Sequence, residues 1–496
     1  MRVVRDLAGL AGETEAARSE AAAAFGDPTV FCERYVEQGR HIEVQVLADN
    51  HGTMWAVGDR DCSIQRRHQK IIEEAPAPGI GAAARERLHD AARRLAGALG
   101  YSGAGTVEFL LDADGTFSFL EMNTRLQVEH PVTECVTGLD LVEWQLRIAE
   151  GAALPDEPPA ARGHAIEARI YAEDPERDWR PQSGDIAAFD VPDRVAEHTN
   201  PAGYGVRVDS GVEPGTAVGT DYDPMLAKVI AWGRDRPDAA RRLAAALAGA
   251  RLHGPGSNRD LLVRVLRHPA FVAGGVHTGF LAEHWADGLA RPLAAGPAER
   301  LSALAAALAE AAGNRERAPV LSSLPPGWRN LPSQPQYKRY RTARGEELEV
   351  GYRTTRAGPV PATGEDVRVH RVRPDEVHLE VDGVRRTFAV ARYSGPLTCV
   401  DSALGAVALT PLPRFADPEA YVAPGSVLAP MPGTVARVAA ASGDRVRAGQ
   451  ALMWLEAMKM EHPITAPAAG VVTEVAARAG QRVDSGAVLA VVEEEN

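Results

Sequence analysis

The sequence predicts a multidomain chain in which mixed α/β structure gives way to small β modules. Three observations carry that prediction. At 496 residues the chain has room for roughly three domains. Its first part interleaves strand-period and helix-period hydrophobic patterns, whereas beyond a proline-rich stretch only short alternating runs remain. Near the C-terminus, Ala429, Gly433, Gly443, Val446, Gly449 and Leu452 recur as Ala466, Gly470, Gly480, Val483, Gly486 and Leu489, at a constant offset of 37 residues.

The elements follow in chain order. Ile42, Val44 and Val46 alternate with His41, Glu43 and Gln45, which predicts a strand, and Leu88, Ala92, Leu95 and Leu99 share one helical face ending at Gly100. Residues 105–111 and 116–123 flank Asp114-Gly115 and predict a hairpin. Pro155, Pro158 and Pro159 suggest a lobe boundary before the alternating His164, Ile166, Ala168 and Ile170. Leu301, Leu304 and Leu308 mark an Ala-rich amphipathic helix, and Pro319 to Pro335 form a spacer. Val377, Leu379 and Val381 then run into an Asp382-Gly383 turn, as in a small β barrel or sheet. A second spacer around Pro411 to Pro424 precedes the repeat, whose two halves can bury their faces against each other as a flattened β sandwich.

Composition narrows the function. Hydrophobic residues at 45% and charged residues at 24% are those of a soluble globular protein. A net charge of −13 argues against a dominant nucleic-acid interface. No stretch approaches bilayer-spanning length, and Arg5 and Asp6 interrupt any signal peptide, so neither a membrane nor secretion is expected. Cys32, Cys62, Cys135 and Cys399 are too scattered for a zinc site or a disulfide framework, which favours the cytoplasm. Among 54 basic residues only Lys70, Lys228, Lys338 and Lys459 are lysines, so these four are candidates for chemistry that needs an amine.

Two places concentrate such chemistry. Lys459 falls at the junction of the two repeats, within Glu456-Ala457-Met458-Lys459-Met460-Glu461, where the chain reverses and presents the amine outward. In the 105–123 hairpin, Glu108 lies six residues before the turn and Glu121 six after it, so the two carboxylates face each other and need a cation. Magnesium answers that need; a solvated acidic face is the alternative. Glu121, Asn123, Arg125, Gln127 and Glu129 alternate with Met122, Thr124, Leu126 and Val128, collecting acid, amide and guanidinium on one side if the chain stays extended. Upstream, Arg66-Arg67-His68-Gln69-Lys70 concentrates positive charge.

The C-terminal module resembles the biotinyl and lipoyl domain family, in the Ala457-Met458-Lys459-Met460 form that carries biotin. Arg60-Asp61-Cys62-Ser63 through Lys70, Glu121 through Pro131, residues 163–169 and Tyr222-Asp223-Pro224-Met225 resemble the biotin carboxylases of the ATP-grasp superfamily. Together they resemble the α subunit of a bacterial biotin-dependent acyl-CoA carboxylase. The implied organisation is a partial ATP-grasp domain at 1–155, a biotin carboxylase C-terminal domain at 156–290, helix and spacer at 291–335, a β-rich subunit-docking domain at 336–410, a linker at 411–425 and a biotinyl domain at 426–496.

The resemblance also implies roles. Glu108, Glu121 and Asn123 hold magnesium (or manganese) on ATP, with Glu33 and Val36 near adenine and His41, Gln65 and His68 toward ribose and phosphates. Lys70, Arg125, Gln127 and Val128 bind bicarbonate, Glu129 deprotonates it for attack on the γ-phosphate, and Arg169 stabilises the biotin enolate. Implied partners are a carboxyltransferase β subunit, a biotin protein ligase and a second copy of the carboxylase domain. Lys228 matches a family pattern without an assigned task, and a structural one is expected. Met1-Arg2-Val3-Val4 aligns inside a Gly-Met-Arg-Val-Val motif, so the family's first lobe and phosphate-covering glycine loop are expected to be missing, which would weaken ATP binding. The alternative is therefore a biotin carrier and docking protein with an inactive carboxylase remnant. A lipoyl carrier is disfavoured by Met458 and Met460.

Overall fold

The computed structural model describes residues 3–331, 334–362, 366–415, 425–457 and 460–494. Nine strands of the first part form a single sheet: β1 (Arg40–Ala48), β2 (Met54–Arg66), β3 (Gln69–Ala75), β4 (Gly103–Leu111), β5 (Phe117–Asn123), β6 (His164–Tyr171), β7 (Arg194–Glu197), β8 (Gly205–Ser210) and β9 (Met225–Gly233). Their order is β7-β8-β9-β6-β3-β2-β1-β4-β5. The expected lobe boundary at the prolines does not divide this sheet, because β6 pairs with β3 through Ile72 and Ala168. Strand pairing outweighs the proline break: a backbone edge left unpaired at β3 would forfeit a full ladder of hydrogen bonds.

Helix packing covers one face of the sheet. Ile42, Val44, Val46, Val107 and Phe109 lie against Leu88, Ala92 and Ala96 of α1 (Ala82–Ala98), each side chain larger than alanine contributing about 1.5–3 kcal/mol by burial. Leu99 is not on that face; it is 64% exposed, because the helix ends at Ala98. Farther along, Leu243 and Leu247 of α3 (Arg236–Gly249) and Leu262 and Val265 of α4 (Arg259–Arg267) cover β6 and β9. The opposite face carries the polar alternates of the same strands. It is buried too, under residues 124–129 and α2 (His130–Thr137). Among the described residues no helix is long and apolar enough to cross a membrane.

The next unit is an eight-stranded antiparallel sheet over residues 336–411 that curls so that its two end strands approach each other. Asp382 and Gly383, at φ 50° and 74°, form the expected tight turn between Val381 and Val384. Helix α5 (Pro297–Glu316) runs against this sheet and is not part of a spacer. Every residue from Leu301 to Ala309 is buried, so the helix is enclosed on all sides and not amphipathic. Alanine at most of these positions lets the curled sheet close around it.

The C-terminal unit consists of two four-stranded sheets. Its hydrogen bonds obey the repeat. Gly443 N donates to Val472 O and, 37 residues on, Gly480 N donates to Val435 O; Ala429 pairs with Ala487 as Ala466 pairs with Gln450. Adding or subtracting the offset exchanges the halves, which is a pseudo-twofold axis. Strands Ala451–Ala457 and Met460–Thr465 pair Ala457 with Met460, leaving Met458 and Lys459 between them. Lys459 itself lies outside the described residues.

Candidate active site

The polar face of the sheet is one continuous row of charge. Glu121, Glu108, Glu43 and Arg60 are in register across β5, β4, β1 and β2. Glu73 faces Glu167 across β3 and β6, and Arg169, Lys228 and Asp209 are in register across β6, β9 and β8. The Glu108–Glu121 pairing is the one the sequence predicts, but it arises differently. Nearer the turn Phe109 faces Phe119, and a bulge after Glu108 restores the expected partner.

Burial makes each charge depend on its partners. Arg60 is fully buried, and its five N–H groups meet Glu43, Gln45 (2.8 Å), Thr133 (2.9 Å), Thr106 (3.2 Å) and Gln127 (3.1 Å). Lys70 spends its three protons on three carboxylates: Glu43 at 2.6 Å, Glu129 at 2.6 Å and Glu108 at 3.1 Å. Arg169 lies 2.5 Å from Glu73 and 2.8 Å from the second oxygen of Glu129. Glu129 is therefore suspended between two cations at the N-terminal end of α2, whose dipole also favours a carboxylate there.

The electrostatics follow. Burial drives the Glu43 carboxyl upward, but Arg60 and Lys70 outweigh it and hold it at about 2. Glu108 is likewise held at about 2, burial being overcome by the His41 hydrogen bond and Lys70. For Glu73, burial prevails over Arg169 and pushes the carboxyl up to about 7. Burial also raises Glu167 well above the carboxylate range.

On the other side of Glu108, His41 Nε2 lies 2.7 Å away, and its Nδ1 is 3.0 Å from Gln65. Asn123 Nδ2 donates to both Glu108 (2.9 Å) and Glu121 (3.0 Å). A hard divalent cation fits here. Two carboxylates converge on one point, the amide N–H groups now occupy the place of a positive charge, and a half-turn of that amide would add a third oxygen.

Of the predicted site residues, the structure brings together His41, Gln65, Lys70, Glu108, Asn123, Gln127, Glu129 and Arg169, with Glu121 at the exposed edge and the Val128 carbonyl behind. It leaves out Arg125, Glu33 and His68, all exposed, and Val36, half-buried beside Gly39. The correction for Arg125 has a plain cause. The chain stops being extended at Asn123, so the alternation fails, and among the described residues Arg125 Nη1 reaches the Leu126 carbonyl, at 3.2 Å. Sequence reading missed Glu43, Arg60 and Glu73. The signal was a strand whose polar alternates were His, Glu and Gln, which a solvated face does not need.

Comparison with known proteins decides the family. Residues 1–157 match the carbamoyl-phosphate synthase L chain ATP binding domain, 167–283 the biotin carboxylase C-terminal domain, 298–414 the methylcrotonyl-CoA carboxylase alpha-subunit BT domain, and 425–492 the biotin-requiring enzyme family. The propionyl-CoA carboxylase alpha chain of Ruegeria pomeroyi is 37% identical over 475 residues, 90% of this chain and 69% of that protein. This chain belongs to the α-subunit family of biotin-dependent acyl-CoA carboxylases. The mitochondrial methylcrotonoyl-CoA carboxylase subunit alpha of Mus musculus is 38% identical over 94% of this chain and 66% of that protein, so the α subunit described here spans about two thirds of its relatives' length. Among solved structures, the biotin carboxylase domain dimer of Hydrogenobacter thermophilus 2-oxoglutarate carboxylase, in complex with MgADP, ADP and bicarbonate, is similar with a TM-score of 0.55. It is 38% identical, over 58% of this chain and 62% of that one. The 298–414 match takes in α5, in keeping with its burial in the curled sheet.

Proposed function

We propose that this α subunit carboxylates biotin held on Lys459 with ATP and bicarbonate, and carries the carboxyl group to a carboxyltransferase β subunit. The observation that carries the reading is the suspension of Glu129 between Lys70 and Arg169. A carboxylate so placed can take a proton from bicarbonate while the two cations hold the anion against it. Lys70 and Gln127 would orient bicarbonate, with the Val128 backbone beside it. His41 and Gln65 would position the nucleotide, and Glu108, Glu121 and Asn123 would hold magnesium. Bound magnesium would neutralise charge on the phosphates, and bound biotin would supply the ureido nitrogen that accepts the carboxyl group.

The same reading places the protein in the cytoplasm, where its free cysteines would stay reduced. It also assigns a biotin protein ligase and a second carboxylase domain as partners. Exposure of Arg125, Glu33 and His68 favours a second reading, a biotin carrier whose carboxylase half is inactive.

The test uses the full chain coexpressed with a biotin ligase and given ATP and radiolabelled bicarbonate. Biotin and then acid-labile label should appear at Lys459, and Lys459→Arg should abolish both while ATP cleavage with free biotin persists. Biotin without bicarbonate-dependent ATP cleavage would establish the carrier reading. Absence of biotin from Lys459 would end both.

A further inference from the structure

Lys228 has no part in the roles above, yet it is one of the few lysines in a chain with 54 basic residues. On β9 it stands directly opposite Arg169 of β6. Two cations facing each other across strands repel. Asp209, whose Oδ2 is 3.5 Å from the Lys228 Nζ, offsets that repulsion. Asp209 is itself fixed by Arg207 through two bonds of 2.8 and 2.9 Å.

Held in this way, the ammonium is aimed at a backbone oxygen. Its Nζ donates to Val128 O at 2.9 Å. The next residue is Glu129, gripped by Arg169 at 2.8 Å. Cross-strand neighbours thus hold consecutive residues, Arg169 by the side chain and Lys228 by the peptide. Residues 124–129 belong to no strand, so no ladder of sheet hydrogen bonds orients this peptide.

We propose that Lys228 is a positioning residue of the carboxylation site, fixing the peptide between Val128 and Glu129, and so the Glu129 carboxylate, through a charge-assisted bond to the Val128 carbonyl. The inference rests on the role proposed for Glu129. A compact ammonium can reach one oxygen between Arg169 and Asp209, whereas a planar guanidinium needs more room and forks across two acceptors. Arginine therefore cannot substitute here, although it serves at nearly every other basic position.

The test compares the full chain with Lys228→Met and Lys228→Arg. In bicarbonate-dependent ATP cleavage both variants should lose about tenfold or more in kcat or bicarbonate affinity, with KM for ATP unchanged. A folded Lys228→Met with wild-type kcat and bicarbonate KM overturns the proposal, and so does full rescue by arginine. A second measurement does not depend on turnover. Labelling with carbonyl-13C valine and 15N glutamate gives amide signals only from Val-Glu steps, and Val128→Ala identifies the one at Glu129. That signal should move in both Lys228 variants while the others stay. If the wild type shows no turnover, the proposed function fails, and this signal still judges the contact: unmoved, it overturns the positioning role. Should neither variant fold, the wild-type Val128 carbonyl carbon decides. A resonance downfield of the other Val-Glu carbonyls supports the contact, and one in line with them overturns it.

Discussion

The polar face of the nine-stranded sheet and the interior of the carrier sandwich are filled with opposite materials. In the sheet, Glu43, Arg60, Glu73 and Glu167 are completely buried. In the sandwich, Val435, Leu452, Met453, Leu455, Val472 and Leu489 are completely buried, and among the described residues of 425–494 no polar or charged residue is. An apolar interior is the cheaper way to hold a small fold together, because a buried charge must be matched at every hydrogen-bonding atom. On the proposed function the carrier needs only a rigid mount for one amine, and it has an interior suited to that. The sheet keeps its charges because the groups that stabilise one another are also those that would handle an anion and a proton.

The sharpest way to break this contrast is to remove one member of the charge layer. Arg60→Leu strands Glu43 beside Lys70 alone and leaves Gln45, Thr106, Thr133 and Gln127 without their donor. The expected loss is about 3–5 kcal/mol, as for breaking a buried ion pair from one side. Urea unfolding followed by hydrogen exchange should show the loss in peptides of 40–137 and none in 425–494. A stable Arg60→Leu would mean that the layer is held from outside and that its charges do not depend on one another.

Acid should separate the two regions as well, each titrating group by an amount no larger than that. Glu43 and Glu108 are held at about 2, below the ordinary 4.5, so the stability they lend is complete above pH 4.5 and is lost as pH falls toward 2. Each contributes on the order of 3 kcal/mol. Glu73 and Glu173 have the opposite sign: raised by burial to about 7, they favour the fold below 4.5 and lose that contribution as pH rises through 7. His130, lowered to about 4 by burial and then by Lys228, costs stability as pH falls from 6.5 toward 4. The sheet should therefore be most stable at mildly acidic pH and weaken on both sides. In the carrier, burial and nearby Arg180 lower the half-buried His462, and among its described residues no acidic or basic side chain is buried. Its exchange-derived stability should be nearly flat over the same range. A parallel decline in both regions would refute the contrast.

These two regions also differed in how openly the sequence announced them. The carrier was legible because its symmetry is written in covalent order: a 37-residue offset in glycines and apolar residues becomes the same offset in hydrogen bonds. In the sheet, period-2 alternation revealed β1 but concealed that its polar side is buried, since what covers it, Gln127 and Glu129, comes from some 80 residues downstream. Glu108 and Glu121 were paired by counting from the turn, and a bulge that no count could foresee delivered the same result. Arg125 went astray for a related reason. Alternation says which side a residue takes only while the strand lasts, and this strand ends two residues earlier. Helix α5 misled because an Ala-rich helix with a leucine stripe reads as amphipathic until a curled sheet encloses its small residues too.

The smallest predicted effect uses the same residue type in the other region. Arg437 stands opposite Trp454 in the carrier, with its guanidinium carbon 3.5 Å from the ring centroid, and lies 3.6 Å from Glu461. Both charges are more than half exposed, at 59% and 52%. Water screens the ion pair to a negligible contribution, and what remains is the stacking of a cation on an indole, worth about 0.5–1 kcal/mol at an exposed site. Arg437→Ala should lower carrier stability by that amount, read from Trp454 fluorescence in urea, and Glu461→Gln should leave it unchanged. Added salt should leave the difference between wild type and Arg437→Ala nearly intact, since screening acts on the pair that contributes little. A loss of several kcal/mol would show that the carrier, too, relies on charge, and the distinction between the two regions would then be one of exposure and not of construction.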